Sequence, residues 1–242
     1  MRKKIAVTID VEQDCPPYLN TYRGIEDGLT GLCSVLDRHE ISATFFITGD
    51  AGSRYPLKIG DLAERHEIGC HGYSHKNFGR MSCAEAEHEI KKSTEVLCRL
   101  ARQEKIYSFR APNLDFPERF LEILESNGYL IDSSLAKYKP EYLFSKKTNR
   151  GGGLLRIPVS ATSSLLRFPF GKEIIRRLSE PVVLFFHPWE FVSMQGEPVR
   201  WDCKIGTGRK ALSNLEALIE IFKKMNYDFC TISDFLNFER EM

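Results

Sequence analysis

The sequence predicts an α/β domain in which strand–helix units wind around a mainly parallel sheet, and three observations lead there. Apolar runs of strand length alternate with runs of helical period along nearly the whole chain. The length of 242 residues suits one closed α/β unit, since barrels of this class reach that size as single domains. Residues able to do chemistry fall repeatedly where the apolar runs stop: Asp10, His71, Arg110, Asp132 and His187. In α/β barrels the C-terminal strand edge is where loops assemble a site. One domain over residues 1–242 is therefore expected, with its site at that edge.

Each element has its own signal. Residues 5–9 form the first strand, taken to end at Asp10, and a polar loop with two prolines follows to about Tyr22. Residues 25–38 place Leu29, Leu32, Val35 and Leu36 at helical spacing. Residues 43–48 read as a buried strand, 57–65 as a short helix, and 67–70 as a strand leading into H-G-Y-S-H. Ser82 followed by Glu85 is a capping-box pair opening a long helix. Residues 106–109 make a strand running into Arg110. Residues 117–126 make a helix with proline in its first turn and Gly128 just past its end. Strands follow at 129–131, 154–159 and 182–186, then a helix at 212–224 and a last strand at 229–232.

Composition excludes several classes. With 34 basic and 33 acidic residues the net charge is +1, too balanced for a nucleic-acid footprint. The lysines of residues 137–147 read as a solvated face. The seven cysteines are odd in number and include no C-x-x-C pair, which fits a reduced cytoplasm better than a disulfide framework. Strand alternation turns Cys70 away from the side His71 faces. No apolar run is long enough for a spanning helix, and the first residues lack a signal-peptide core. There is no dinucleotide fingerprint, and residues 151–153 lack the lysine and hydroxyl residue of a phosphate loop.

The chemistry-bearing residues suggest a metal. His71 and His75, four apart, share one face if they lie on a helical turn. Two histidines and a carboxylate make a divalent-ion set that leaves a position for water. Asp10 and Glu12 are neighbours of such a site if the strand is ending there. One can bind the ion while the other takes a proton from the water it activates. His187, at the end of P-V-V-L-F-F-H, is either a satisfied core group or a general acid. Arg110 beside a packed strand end requires a carboxylate, with Asp10 and Asp132 as candidates.

Together these segments resemble the polysaccharide deacetylase family, the NodB-homology group of carbohydrate esterases. The resemblance spans roughly residues 5–235 and rests on five ordered signatures: T-I-D-V-E at 8–12, H-G-Y-S-H at 71–75, R-A-P at 110–112, G-Y-L-I-D-S-S at 128–134 and F-F-H-P at 185–188. It implies a distorted (β/α) barrel, often seven-stranded, with one divalent metal: zinc first, with iron, cobalt or nickel as alternatives. It further implies His71 and His75 as ligands, Asp10 as base, His187 as acid and Arg110 as the group positioning the base. Asp132 supports either the histidine or the arginine. The family's usual pair of adjacent aspartates is replaced by Asp10-Val11-Glu12, as in its intracellular branches. Glu12 is accordingly the third ligand, with Asp14 as fallback.

The implied reaction is hydrolysis of an N-acyl group, acetyl first, from an amino sugar in a glycan or a lipid-linked or nucleotide-linked precursor. The oxyanion would meet a backbone N–H of Tyr73 or Ser74. Tyr73, Trp189 and Tyr22 are the candidates for contacting sugar, whereas ordinary packing is the reading for Phe116. Tyr18 and Tyr22 sit on a lid-like first loop. H-P-W-E at 187–190 resembles a subgroup of surface-glycan biosynthesis. The apolar and basic mixture at 160–180 reads either as a cover over one barrel end or as a peripheral contact with the inner membrane face. The competing functions are a deformylase or other amidohydrolase on the same metal core, and a non-catalytic carbohydrate-binding module.

Overall fold

The computed structural model describes residues 3–140, 142, 153–167 and 171–236. Phe168 and Phe170 of the 160–180 segment, and Lys146 and Lys147 of the lysine run, lie outside them.

The sheet is organised on β1 (Lys3–Val11), whose apolar residues alternate with smaller or polar ones. Ile5, Val7, Ile9 and Val11 join the main hydrophobic core against the helices. Ala6 faces the second, smaller core on the other side of the sheet. By the same two-residue period Thr8, Asp10 and Glu12 point to that concave side. The strand therefore does not end at Asp10. It runs on to Val11, and alternation, not a strand ending, brings both carboxylates to one face.

One edge of β1 pairs with β8 (Val182–Phe186). The opposite edge is shared: β9 (Tyr227–Cys230) pairs with its first half and β2 (Thr44–Ile47) with its second. The sheet continues from β2 through β3 (Glu67–Cys70), β4 (Ser108–Phe109), β5 (Ile131–Asp132) and β6 (Leu155–Arg156). On the other side β7 (Ala161–Thr162) extends β8. Every pairing is parallel. The result is an open, curled parallel sheet of the distorted-barrel kind. The described residues contribute nine strands, of which β4, β5, β6 and β7 are only two residues long.

Helices cover the convex side. α1 (Leu29–Arg38) is preceded by a π-turn, Gly24–Gly28. α2 (Gly49–Arg54) was not apparent in the sequence, because its two glycines hide a helix that Thr48 caps by accepting the Ala51 N–H. α3 is Pro56–Ala63. α4 (Cys83–Ala101) starts as expected: Ser82 Oγ accepts the Glu85 N–H, and Glu85 accepts the Ser82 N–H at 2.8 Å. The helix predicted from Pro117 is a 3-10 turn (Glu118–Phe120) followed by α5 (Leu121–Ser126), with Gly128 beyond it at φ +83°. A last long helix, Arg209–Lys224, packs on α1.

One surface reading changes and another gains detail. Lys137 donates to the carbonyls of Ser179 and Pro181, and Lys139 to those of Asn113 and Leu114. These lysines stitch loops together instead of lining a solvated face. In the 160–180 segment, Leu166 is buried in the main core and Arg167 turns inward toward Glu190. Both fit the reading of this segment as a cover over one end of the fold.

Candidate metal centre and active site

The concave end of the sheet gathers three ligand-type side chains. Glu12, one residue past β1, and His71, one past β3, are 4% and 1% exposed. With His75 they bring one carboxylate oxygen and two ring nitrogens within 4.8 Å of one another. Glu12 Oε2 lies 3.2 Å from His71 Nε2 and in hydrogen-bond contact with His75 Nε2. His71 Nδ1 faces the Arg110 carbonyl at 2.7 Å, which fixes the ring and leaves Nε2 for a ligand. A buried carboxylate facing two oriented imidazoles is a donor set that fits a divalent ion with room for water.

His71 and His75 do not lie on a helix. A turn with Gly72 at φ +70° and His75 at φ +56° brings their rings to 5.5 Å. A Cβ on Gly72 would press on Phe78 at 3.2 Å. Glu89, from α4, pins this turn by accepting the N–H groups of Tyr73 and Ser74 and the Ser74 hydroxyl. Those two N–H groups are thus already engaged and are not free for an oxyanion.

Asp10 sits beside the cluster, Oδ2 3.4 Å from His71 Nε2. Its other oxygen accepts from Arg110 Nη1 at 2.8 Å. The same guanidinium reaches Thr8 Oγ1, Ser133 O and Ser133 Oγ, and it lies over the Phe46 ring. Arg110 is fully buried, and four of the five guanidinium N–H groups are engaged in these bonds. Asp132 supports neither this arginine nor His187. It accepts from Arg156 Nε at 2.9 Å and from the Ser134 N–H, so it orders the turn after β5. Asp14 is also not a ligand. It is buried and accepts from Thr21 Oγ1, Arg23 N and Gly24 N, closing the first loop on itself.

His187 enters from the end of β8, its Nε2 3.6 Å from Glu12 Oε1. Its Nδ1 meets Glu190 Oε1 at 2.9 Å, and Trp189 stacks on the ring at 4.9 Å. Glu190 is the partner that sequence reasoning missed. Its signal was the three-residue spacing, which also lets it cap the turn at Pro188–Phe191. That turn rests on Gly24 and Gly28: a Cβ at either would come within 2.3 Å of Trp189 N or Pro188 O.

Charge follows this geometry. Burial pushes the Glu12 carboxyl up, but His75 and His71 outweigh it and hold the group well below the usual carboxylate range. Burial lowers His75, and the facing Glu12 more than restores it, so it ends above its ordinary value. His187 is likewise raised, burial being outweighed by the hydrogen bond to Glu190 and by the Glu12 charge.

A cavity of about 340 Å³ opens over these groups, with Trp189, Phe185, Tyr18 and Tyr138 among its walls. Tyr22 is elsewhere, donating to Asp50 and packing on Tyr55. Tyr73 packs against Gly49 under the Lys92 ammonium and does not line the cavity. Phe116 is core. Among the described residues no helix is long and apolar enough to cross a membrane.

Fold and cluster together define a parallel α/β protein built around a site for one divalent metal. Residues 2–131 match the family model described as polysaccharide deacetylase, more than half of the chain, and the chain belongs to that family. It is 32% identical over 118 residues to an uncharacterised 30.6 kDa protein of Geobacillus stearothermophilus, covering 46% of this chain and 43% of that one. It is 39% identical over 67 residues to a peptidoglycan-N-acetylglucosamine deacetylase of Bacillus cereus, covering 27% and 24%. The chain thus spans less than half the length of these relatives. A solved Mycobacterium smegmatis structure, assigned as a polysaccharide deacetylase, superposes with a TM-score of 0.75 over 100% of this chain and 92% of that one. At 20% identity that likeness shows the fold.

Proposed function

We propose that this chain hydrolyses the N-acyl amide of an amino sugar, with acetyl as the group removed. The observation that carries the reading is the meeting of Asp10 and His187 at the Glu12, His71 and His75 cluster, each oriented by its own buried partner. Glu12, His71 and His75 would hold a divalent ion, zinc in the first instance, which when bound would supply Lewis acidity and a more acidic water. Asp10, kept in place by Arg110, accepts the proton of the attacking water at its outer oxygen. His187 carries a proton on Nε2 and gives it to the departing nitrogen, so that the amide yields a carboxylic acid and a free amine. Glu190 fixes the His187 ring and stabilises its protonated form.

A cavity of about 340 Å³ lies at the small end of ligand pockets, which suits one acylated sugar residue with Trp189 as its apolar wall. The Bacillus cereus relative's activity on N-acetylglucosamine supports the choice of sugar. We assign the substrate to glycan biosynthesis, on a lipid or nucleotide carrier. We assign the chain to the cytoplasm, on an odd number of cysteines with no C-x-x-C pair.

The test is metal content of the purified protein together with acetate and formate release from N-acylated sugars, free, nucleotide-linked and lipid-linked. About one equivalent of metal, with acetate release lost in Asp10→Asn, supports the reading. Formate in place of acetate, or release only from non-sugar amides, moves the chain to another amidohydrolase. Sugar binding without any hydrolysis by the metal-loaded protein leaves a binding module.

A further inference from the structure

The base and the acid of the proposed reaction are backed in different ways. Asp10 meets a buried arginine directly. His187 meets Glu190, and a second buried arginine, Arg167, stands behind that carboxylate. Arg167 follows the helical turn Ser163–Leu166, and its Nη2 lies 3.6 Å from Glu190 Oε2. The two side chains are 3% and 2% exposed.

The two oxygens of Glu190 face opposite ways. Oε1 accepts the His187 backbone N–H at 3.0 Å and meets Nδ1 of the same residue at 2.9 Å. Oε2 is buried and accepts no hydrogen bond among the described residues, so its charge is answered by the guanidinium. Arg167 is itself held by neutral groups. Its Nη2 donates to Ser164 Oγ at 3.1 Å and to the Asp202 carbonyl at 3.4 Å. Its stem lies against Gly206, where a Cβ would come 3.4 Å from Arg167 Cδ. Among the described residues Glu190 is the carboxylate it pairs with. An arginine keeps its charge inside a protein, and a buried charge left alone is costly, so each of the two needs the other.

We propose that Arg167 is a positioning residue for the amide hydrolysis proposed above, on which this inference rests: it anchors Glu190 and, through Glu190, sets the edge of the His187 ring that faces the cavity. Trp189 stacks on that ring, which fixes its plane but not which nitrogen points inward. Glu190 decides this by holding Nδ1, and Nε2 is left toward Glu12 and the cavity. Without the guanidinium, Glu190 has His187 as its one ionic partner among the described residues, and nothing keeps the carboxylate from turning away. Misplacing a reacting group by about 1 Å can cost about 100-fold in rate. At 3.6 Å the contact with Arg167 is one of charge and not a hydrogen bond. A lysine therefore serves at Arg167, although it cannot serve at Arg110.

The experiment labels the rings of the six histidines with 15N in the zinc-loaded full chain, without substrate. His187 is assigned by its absence from the spectrum of His187→Gln. Its Nδ1–H resonance is expected to be sharp in the parent, lost or broadened in Arg167→Gln, and kept in Arg167→Lys. In hydrolysis, Arg167→Gln is expected to lower kcat about tenfold with KM little changed, and Arg167→Lys to recover most of it. Adding Arg167→Gln to Glu190→Gln is expected to lower kcat no further, because the arginine then has no charge to act through. This double variant leaves neither charge alone, so it tests the proposal even if Arg167→Gln fails to fold. A His187 resonance unchanged in Arg167→Gln, or a further loss of kcat in the double variant, overturns the proposal. Absence of hydrolysis by the parent sinks the amide reaction instead, and the ring resonances still decide whether Arg167 holds His187.

Discussion

Arg110 and Asp10 meet at 2.8 Å with the guanidinium wholly out of solvent, although β1 and the segment after β4 lie far apart in sequence. Four acceptor contacts and an aromatic face leave this arginine one orientation. Removing one partner of a buried pair costs about 3–5 kcal/mol, because the other charge is left without compensation. Arg110→Met is therefore expected to lower unfolding free energy by that amount. Arg110→Lys keeps the charge but cannot serve Thr8, Asp10 and Ser133 together. It is expected to stay folded and to lose at least about tenfold in hydrolysis. Chemical denaturation of both metal-loaded variants checks this, and an unchanged midpoint for the Met variant would contradict it.

Glu190 holds His187 above its ordinary pKa. A histidine acting as acid must be protonated, so activity is lost as pH rises through its pKa. Glu190→Gln removes the charge that favours the protonated ring, and the basic limb of the kcat/KM profile is expected to move to lower pH. Glu190→Asp is expected to restore part of that shift. A profile that only drops in height, with its limbs in place, would make Glu190 a cap of the turn and nothing more.

Glu89 touches no candidate ligand, yet it fixes the turn that carries His75. Outer groups that orient ligands are worth roughly 10–100-fold in metal affinity. Glu89→Ala is expected to weaken zinc binding by that factor, measured by competition with a chelator, while the melting of metal-free protein changes much less. Equal affinity in the variant and the parent would sink the assignment.

Two glycines give opposite expectations. A methyl at Gly24 would fall 2.3 Å from Trp189 N, where backbone meets backbone and neither yields. Gly24→Ala is expected to destabilise the chain by roughly 1–3 kcal/mol and to disturb His187. At Gly60, within α3, the nearest atom is a carbonyl oxygen at 3.9 Å. Gly60→Ala is expected to stabilise the chain by roughly 0.5–1 kcal/mol. Thermal melts of the two variants in parallel decide both.

The elements that sequence revealed best are those with a strong local period or cap: β8, the Ser82–Glu85 box and the core face of α1. The convergence of Asp10, Glu12, His71, His75, Arg110 and His187 was also legible, since each lies near or beyond the C-terminal end of a strand that the parallel sheet aligns. What escaped were partners set by tertiary contact. Asp132 turned to Arg156 because the pairing of β5 with β6 puts them side by side. Asp14 was claimed by its own loop, and Tyr22 and Tyr73 by neighbouring helices. Glu89 and Glu190 act through hydrogen bonds that no hydrophobic period encodes. α2 was hidden because glycine reads as a breaker until a cap and a packed neighbour offset it.

The alternation along β1 makes correct folding and metal binding one event. A slip of a single residue in that strand would send Asp10 and Glu12 out among the helices and turn Ile9 and Val11 into the cavity. Such a molecule would keep its strands and much of its helix content while losing the carboxylate its two histidines need. Bound metal per chain, measured after refolding, is thus a direct count of the sheets assembled in register.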